Sequence, residues 1–238
     1  MKVKLFTVPN MITCLNLVSG CLAIERALAA DFGGAFLFVM IAAVLDFLDG
    51  FFARLLRSYS DIGKELDSLA DVVSFGAAPA FVLFSVLRGN GFMGWEPYLA
   101  FIVAAFSALR LAKFNLDTRQ TTEFIGFPVP ANALLIVSLV YLLTISAQGP
   151  LAFLLSSPWW LIALAAILSF LLISEIPMFS LKFKSFGWKG NEIRYLFLIV
   201  SLAGLVCFKF YAVPCILLFY ILVSIVRNAL CRSPKTEQ

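Results

Sequence analysis

Asp46, Asp49, Asp67 and Asp71 stand within strongly apolar stretches of this chain, with Gly50, Ala53, Arg54 and Gly63 between them. A carboxylate near the bilayer interior costs about 2.5–3.5 kcal/mol on insertion scales, so four of them need a use other than packing. Left unneutralised they would repel one another, and two divalent cations would balance them. Oxygen ligands without His or Cys suit Mg²⁺ or Mn²⁺. Two such ions about 3.5–4 Å apart form a clamp for phosphoryl displacement, holding the attacking and leaving oxygens. Gly50 and Ala53 leave room for a flat, bulky group beside the ions, and Arg54 offers a phosphate its forked donor.

Two other uses of intramembrane acids compete with this reading. A single Asp can pair with an Arg on another helix, but four at this spacing, with small residues between, fit that use poorly. Acids also line ion and proton routes. Such carriers show Gly- or Pro-interrupted helices in two matched halves, and this chain has no internal symmetry of that kind. A divalent-cation transporter is the non-enzyme alternative.

The elements that must position these groups are membrane helices. Of 238 residues, 62% are hydrophobic and 13% charged, and Phe alone supplies 25. That composition lies far from a soluble domain. A span needs about 20 mainly apolar residues. Eight are expected, near 11–30, 34–54, 66–87, 97–115, 130–147, 157–175, 194–210 and 212–230. The expected fold is therefore an all-α, polytopic transmembrane bundle forming one domain over 1–238. Turns are expected at Asp31-Phe32-Gly33-Gly34, Arg88-Gly89-Asn90-Gly91, Gln148-Gly149-Pro150 and Gly187-Trp188-Lys189-Gly190. No cleavable leader is expected after Lys2 and Lys4.

Asp46 and Asp49 share a helix face, and so do Asp67 and Asp71. The short connection makes their helices antiparallel neighbours whose acidic faces meet. Fifteen of the 18 Lys and Arg residues fall on one side of an eight-span layout. Only Arg26, Arg88 and Lys209 take the other side, with Trp95, Trp159 and Trp160 at that interface. The bias predicts cytoplasmic termini and a site open to the cytoplasm, in a cell inner or plasma membrane. At about 1.5 Å per residue Asp46 lies about 12 Å below Arg54, recessed but reachable.

The absence of histidine removes His ligation, His acid–base chemistry and phosphohistidine intermediates. The five cysteines form no CxxC pair and read as packing residues. The net charge of +4 follows from topology, and nucleic acid is not expected as a partner.

The run from Asp46 to Asp71 reads D-x2-D-G-x2-A-R-x8-G-x3-D-x3-D. It resembles, at every fixed position, the signature of the CDP-alcohol phosphotransferase family. Pro9-Asn10-Met11-Ile12-Thr13 is similar to that family's opening of the first helix. Flanking text resembles the family's phosphatidylserine synthase branch: Asp67 through Ala80, Arg110 through Asn115, Phe127 through Ala131, and Ile176 through Lys184. The likeness extends over about 9–195, with six spans as the usual core and 196–238 an addition.

The resemblance implies that Asp46 and Asp67 touch both metals, Asp49 the first and Asp71 the second, with Asp71 also the base toward an acceptor hydroxyl. It implies donor contacts from Asn10, Met11, Ile12, Thr13, Gly50, Arg54 and Ser60. It further implies CDP-diacylglycerol as donor, L-serine as acceptor, CMP as the released product and a homodimer among membrane lipids. Arg110, Lys113 and Arg194 are candidates for the serine carboxylate, with Lys184 a later one. Positive-inside marking is the alternative use of these basic residues. Glycerol 3-phosphate or inositol phosphate would be alternative acceptors for the same donor. The other bacterial route to serine lipids, similar to phospholipase D, needs histidine nucleophiles, and a His-free chain is excluded from it.

Overall fold

In a computed structural model of the protein, residues 5–117, 124–145, 157–178 and 192–231 are described. They form eight helical rods. The first is α1 (Val8–Leu28) and the second α2 (Phe32–Leu55). The third joins α3 (Asp61–Asp71), a π-helical turn (Val72–Ala77) and α4 (Ala78–Gly89). The fourth joins a 3₁₀ turn (Glu96–Phe101) and α5 (Ile102–Leu116). Then come β1 (Phe124–Ile125), α6 (Val129–Ile145), α7 (Pro158–Ile173), β2 (Pro177–Met178), α8 (Glu192–Phe208), a 3₁₀ turn (Lys209–Tyr211) and α9 (Ala212–Cys231).

The first four rods, Val8–Leu28, Phe32–Leu55, Asp61–Gly89 and Glu96–Leu116, are long and apolar enough to cross a membrane. The four later expected spans coincide with α6, α7, α8 and α9, whose described apolar parts are 10–17 residues long. The protein is thus an all-α, polytopic membrane protein.

Local chemistry accounts for the rod ends near the site. Thr7 caps α1 by accepting the Asn10 N–H at 3.4 Å, and Pro9 sits in the first turn, where a missing N–H costs nothing. Asp31 caps α2 by accepting the Gly34 N–H at 2.8 Å. The expected connection at Asp31–Gly34 is therefore corrected: Phe32, Gly33 and Gly34 already belong to the first turn of α2. At the far end of α2, Arg57 takes φ 48° and the Ser58 N–H donates to Ala53 O at 3.1 Å, the long bond of a Schellman end. Glycine usually fills that left-handed position; here Arg57 does, and it turns the chain sharply into Ser58–Ser60.

The third rod departs from expectation twice. It starts at Asp61 rather than 66, because Ser60 Oγ accepts the Gly63 N–H at 3.1 Å and starts the helix before the apolar run begins. Its π turn, which follows Asp71 directly, was not expected. Two close approaches accompany it. A Cβ on Gly20 would lie 2.7 Å from Ser74 Cα, and one on Gly76 would lie 3.1 Å from Ser107 Cβ. α1 and α5 thus pack against the turn's backbone from two sides. A second unexpected feature is the antiparallel pair of β1 and β2, with Phe124 opposite Met178 and Ile125 opposite Pro177. It ties the segment before α6 to the segment after α7. Gly126, at φ 80°, makes that docking possible: a Cβ there would meet Leu172 O at 2.6 Å. The turns expected at 148–150 and 187–190 lie outside the described residues.

The most extensive contact between rods is α1 against α2. Both helices bury small residues, Ala23 and Ala27 on α1 and Ala35 and Ala42 on α2, and such short side chains let helix backbones approach closely. Ser19 Oγ donates across the contact to Phe38 O at 2.8 Å. The larger buried side chains, Phe75, Leu83, Leu87, Val103, Ile136 and Leu172, fill the centre among rods three to six. The corner where α1, α2 and α3 meet is where the acidic residues sit.

Candidate active site

α1 presents one polar face to the bundle. Asn10, Thr13 and Asn16 recur every third residue and are 5%, 3% and 0% exposed. Thr13 Oγ1 lies 2.6 Å from Asp49 Oδ2 and 3.0 Å from Pro9 O. A hydroxyl has one proton, and the shorter approach to a carboxylate takes it. Asn16 Nδ2 lies 3.4 Å from Asp71 Oδ1. One helix therefore supplies neutral donors to carboxylates on two others.

Asp46, Asp49 and Asp67 converge: each offers a carboxylate oxygen, and these atoms lie within 4.8 Å of one another. Asp46 and Asp67 are close enough to share a hydrogen bond. Asp71, one turn beyond Asp67 and 7% exposed, stands outside that trio but feels the charges of Asp46, Asp67 and Asp49.

The donor set fits divalent cations. Among the described residues, the ion pairs join Arg26 to Glu25 and Asp31, and Lys113 to Glu175; none involves the four aspartates. Asp67 Oδ1 is buried with no hydrogen-bond partner among the described residues. A buried acceptor without a hydrogen bond, set among like charges, is unfavourable, and coordination of a cation would satisfy it.

A cavity of about 910 Å³ opens beside the trio. Asp49 and Asp67 form part of its wall, with Asn10, Thr13, Gly50, Ala53, Ser60 and Gly63. Two glycines shape it. A Cβ on Gly50 would meet only Arg54 Nη2, at 3.9 Å, so this position faces open space. A Cβ on Gly63 would lie 3.1 Å from Asn10 Oδ1, so its absence lets the start of α3 close onto the start of α1.

The expected donor residues divide accordingly. Asn10, Thr13, Gly50 and Ser60 gather at the cavity; Arg54 does not line it, but its Nη2 lies 3.9 Å from where a Cβ on Gly50 would stand. Met11 is 58% exposed and Ile12 half-buried, and neither lines the cavity, because successive helical residues turn away from the Asn10–Thr13 face. Sequence reasoning missed Tyr59, Ile62 and Lys64, which also line it, and Asn16. The signal for Asn16 was present: a polar residue one turn beyond Thr13 in an apolar span.

The candidate acceptor residues are less gathered. Arg110 is 4% exposed, and its guanidinium lies over the Phe114 ring at 5.1 Å, on the helix packed against the π turn. Lys113 Nζ pairs with Glu175 Oε1 at 3.3 Å. Neither lines the cavity. The side chain of Arg194, and Lys184, lie outside the described residues.

The chain is similar in sequence to known proteins. A family profile described as CDP-alcohol phosphatidyltransferase matches residues 6–173, which hold the first six rods. A protein of Mycobacterium leprae named CDP-diacylglycerol–serine O-phosphatidyltransferase is 38% identical over 183 residues, 74% of this chain and 59% of that protein. A protein of the same name from Bacillus subtilis is 40% identical over 135 residues, 56% of this chain and 75% of its own length. One from Methanocaldococcus jannaschii is 35% identical over 173 residues, 73% of this chain and 74% of its own length. The match thus spans less than two thirds of the Mycobacterium leprae relative. With the profile covering well over half of its residues, the chain belongs to the CDP-alcohol phosphatidyltransferase family.

Proposed function

We propose that the protein transfers a phosphatidyl group from CDP-diacylglycerol to the hydroxyl of L-serine, giving phosphatidylserine and CMP. The observation that carries this reading is the convergence of the Asp46, Asp49 and Asp67 carboxylates beside a cavity large enough for a nucleotide, with Asp49 and Asp67 in its wall. The names of the relatives support serine as the acceptor.

Asp46, Asp49, Asp67 and Asp71 would hold two divalent cations, Mg²⁺ or Mn²⁺. When bound, these would supply charge neutralisation on the pyrophosphate and on the departing CMP. The chain's own residues do the rest. Asn10, Thr13 and Ser60 line the nucleotide space, and Gly50 and Ala53 leave it open. Arg54, whose Nη2 lies near Gly50, would provide a forked donor for a phosphate. The acyl chains stay among the lipid-facing helices. Asp71 takes the serine hydroxyl proton as the serine oxygen bonds to the lipid-linked phosphorus, and the bond from that phosphorus to the CMP oxygen breaks. Of the candidates Arg110, Lys113 and Arg194, Arg110, buried on the helix packed against the turn that follows Asp71, is the one proposed for the serine carboxylate. The positive-charge bias supports a site facing the cytoplasm, and the family resemblance supports a homodimer.

The test is acceptor selection. Purified protein, CDP-diacylglycerol and Mg²⁺ or Mn²⁺ are incubated with serine, glycerol 3-phosphate or inositol, and CMP release is measured. Release that depends on serine supports the proposal. Release with glycerol 3-phosphate or inositol and none with serine refutes the acceptor, and no release with any of them refutes the reaction.

A further inference from the structure

We infer that Asn16 is a positioning residue for Asp71, locked in place by the π turn that follows that aspartate; this rests on the reaction proposed above. Asn16 is 0% exposed within a membrane-spanning helix, where an amide is costly unless it is used. Its Nδ2 lies 3.4 Å from Asp71 Oδ1, while its own Oδ1 has no partner among the described residues. Reversing the amide would set a carbonyl oxygen against a carboxylate oxygen, so electrostatics select the orientation in which the amide donates to Asp71.

The backbone holds that amide in place. Ser74 Oγ donates to Asn16 O at 3.0 Å. Ser74 can do so because the π turn carries it onto α1 at Gly20, where a Cβ would lie 2.7 Å from Ser74 Cα. The contacts close a ring: from Asp71 along the chain to Ser74, across to Asn16, and back to Asp71. A π turn directly after the aspartate provides the offset that a regular helix would not. Thr13, one turn earlier on the same face, donates to Asp49. The two donors serve different groups. Thr13 steadies a candidate metal ligand. Asn16 steadies Asp71, the candidate ligand that also takes the acceptor's proton in the proposed reaction.

The test compares Asn16→Leu, which keeps the approximate volume and removes the donor, with Asn16→Gln, which keeps the amide. Steady-state CMP release is measured with whichever acceptor the wild type uses, so a wrong acceptor and a wrong role for Asn16 are told apart. Mn²⁺ binding is followed by electron paramagnetic resonance, independently of turnover. The expected result for Asn16→Leu is a fall in kcat of about 10–100-fold. KM for CDP-diacylglycerol and Mn²⁺ binding stay within about twofold of wild type, and Asn16→Gln recovers part of kcat. An unchanged kcat in Asn16→Leu overturns the inference, and so does a loss of kcat that tracks a loss of Mn²⁺ binding. Should Asn16→Leu fail to fold, Ser74→Ala removes only the hydroxyl on the Asn16 carbonyl. It is expected to lower kcat with KM and Mn²⁺ binding unchanged, and a wild-type kcat there overturns the inference equally.

Discussion

Gly20 and Gly50 are both interior helical glycines, and replacing each by alanine should have opposite effects for reasons visible in their surroundings. Helix propensity alone favours alanine by about 0.8–1.0 kcal/mol at either site. At Gly50 nothing opposes that gain, since the new Cβ meets only Arg54 Nη2 at 3.9 Å. Gly50→Ala should therefore raise the apparent Tm in detergent. The methyl group projects into the cavity, however, and a donor seated against Gly50 would have to move. Overpacking of this kind costs about 1–3 kcal/mol, which corresponds to about 5–150-fold in affinity. At Gly20 the added Cβ lies 2.7 Å from Ser74 Cα, a backbone atom that cannot rotate away. The same 1–3 kcal/mol then falls on the fold and outweighs the propensity gain, so Gly20→Ala should lower the apparent Tm. The assay is thermal unfolding of the purified variants together with the dependence of CMP release on CDP-diacylglycerol at saturating serine. A Gly50→Ala protein with wild-type KM for the donor would refute the placement of the donor in this cavity. A fall in its Tm would refute the reading of Gly50 as facing open space.

Other outcomes follow from the acidic trio and its neighbours. Chelation should abolish CMP release and added Mg²⁺ or Mn²⁺ restore it; activity that persists in excess chelator would remove the metal-centre reading. Asp71→Asn should lower turnover by about 10²–10⁴-fold while donor binding, followed by CMP competition, survives; near wild-type turnover would exclude Asp71 as the base. Arg110→Ala should raise KM for serine and leave KM for CDP-diacylglycerol unchanged, and unaltered serine kinetics would remove Arg110 from the acceptor site.

The acidic site was legible in the sequence to the extent that it depends on helix periodicity. Asp46 with Asp49, and Asp67 with Asp71, must share faces on any regular helix, and the connection from Leu56 to Ser60 is too short for their helices to be anything but neighbours. Periodicity also explains where motif reading overreached. The stretch Asn10-Met11-Ile12-Thr13 is continuous in sequence, but each residue advances about 100° around the helix, so Asn10 and Thr13 face the cavity while Met11 faces outward. The face continues to Asn16, which a contiguous motif does not reach.

What was not legible depends on contacts between rods. The π turn has no residue signature of its own. It exists where Gly20 lets Ser74 be approached more closely than a side chain would permit and Gly76 lies tight against Ser107, and those pairings are 54 and 31 positions apart in the chain. The strand pair is likewise formed by two residues on each side and by Gly126 fitting against the end of α7. The two kinds of feature divide the work of the site. Helix periodicity gathers the charges, a short-range property that composition and spacing record. Two of the four carboxylates receive a neutral donor from α1, Asp49 from Thr13 and Asp71 from Asn16. The signature from Asp46 to Asp71 therefore records where the acids gather, while the uncharged donors that reach two of them lie outside it, on the first helix.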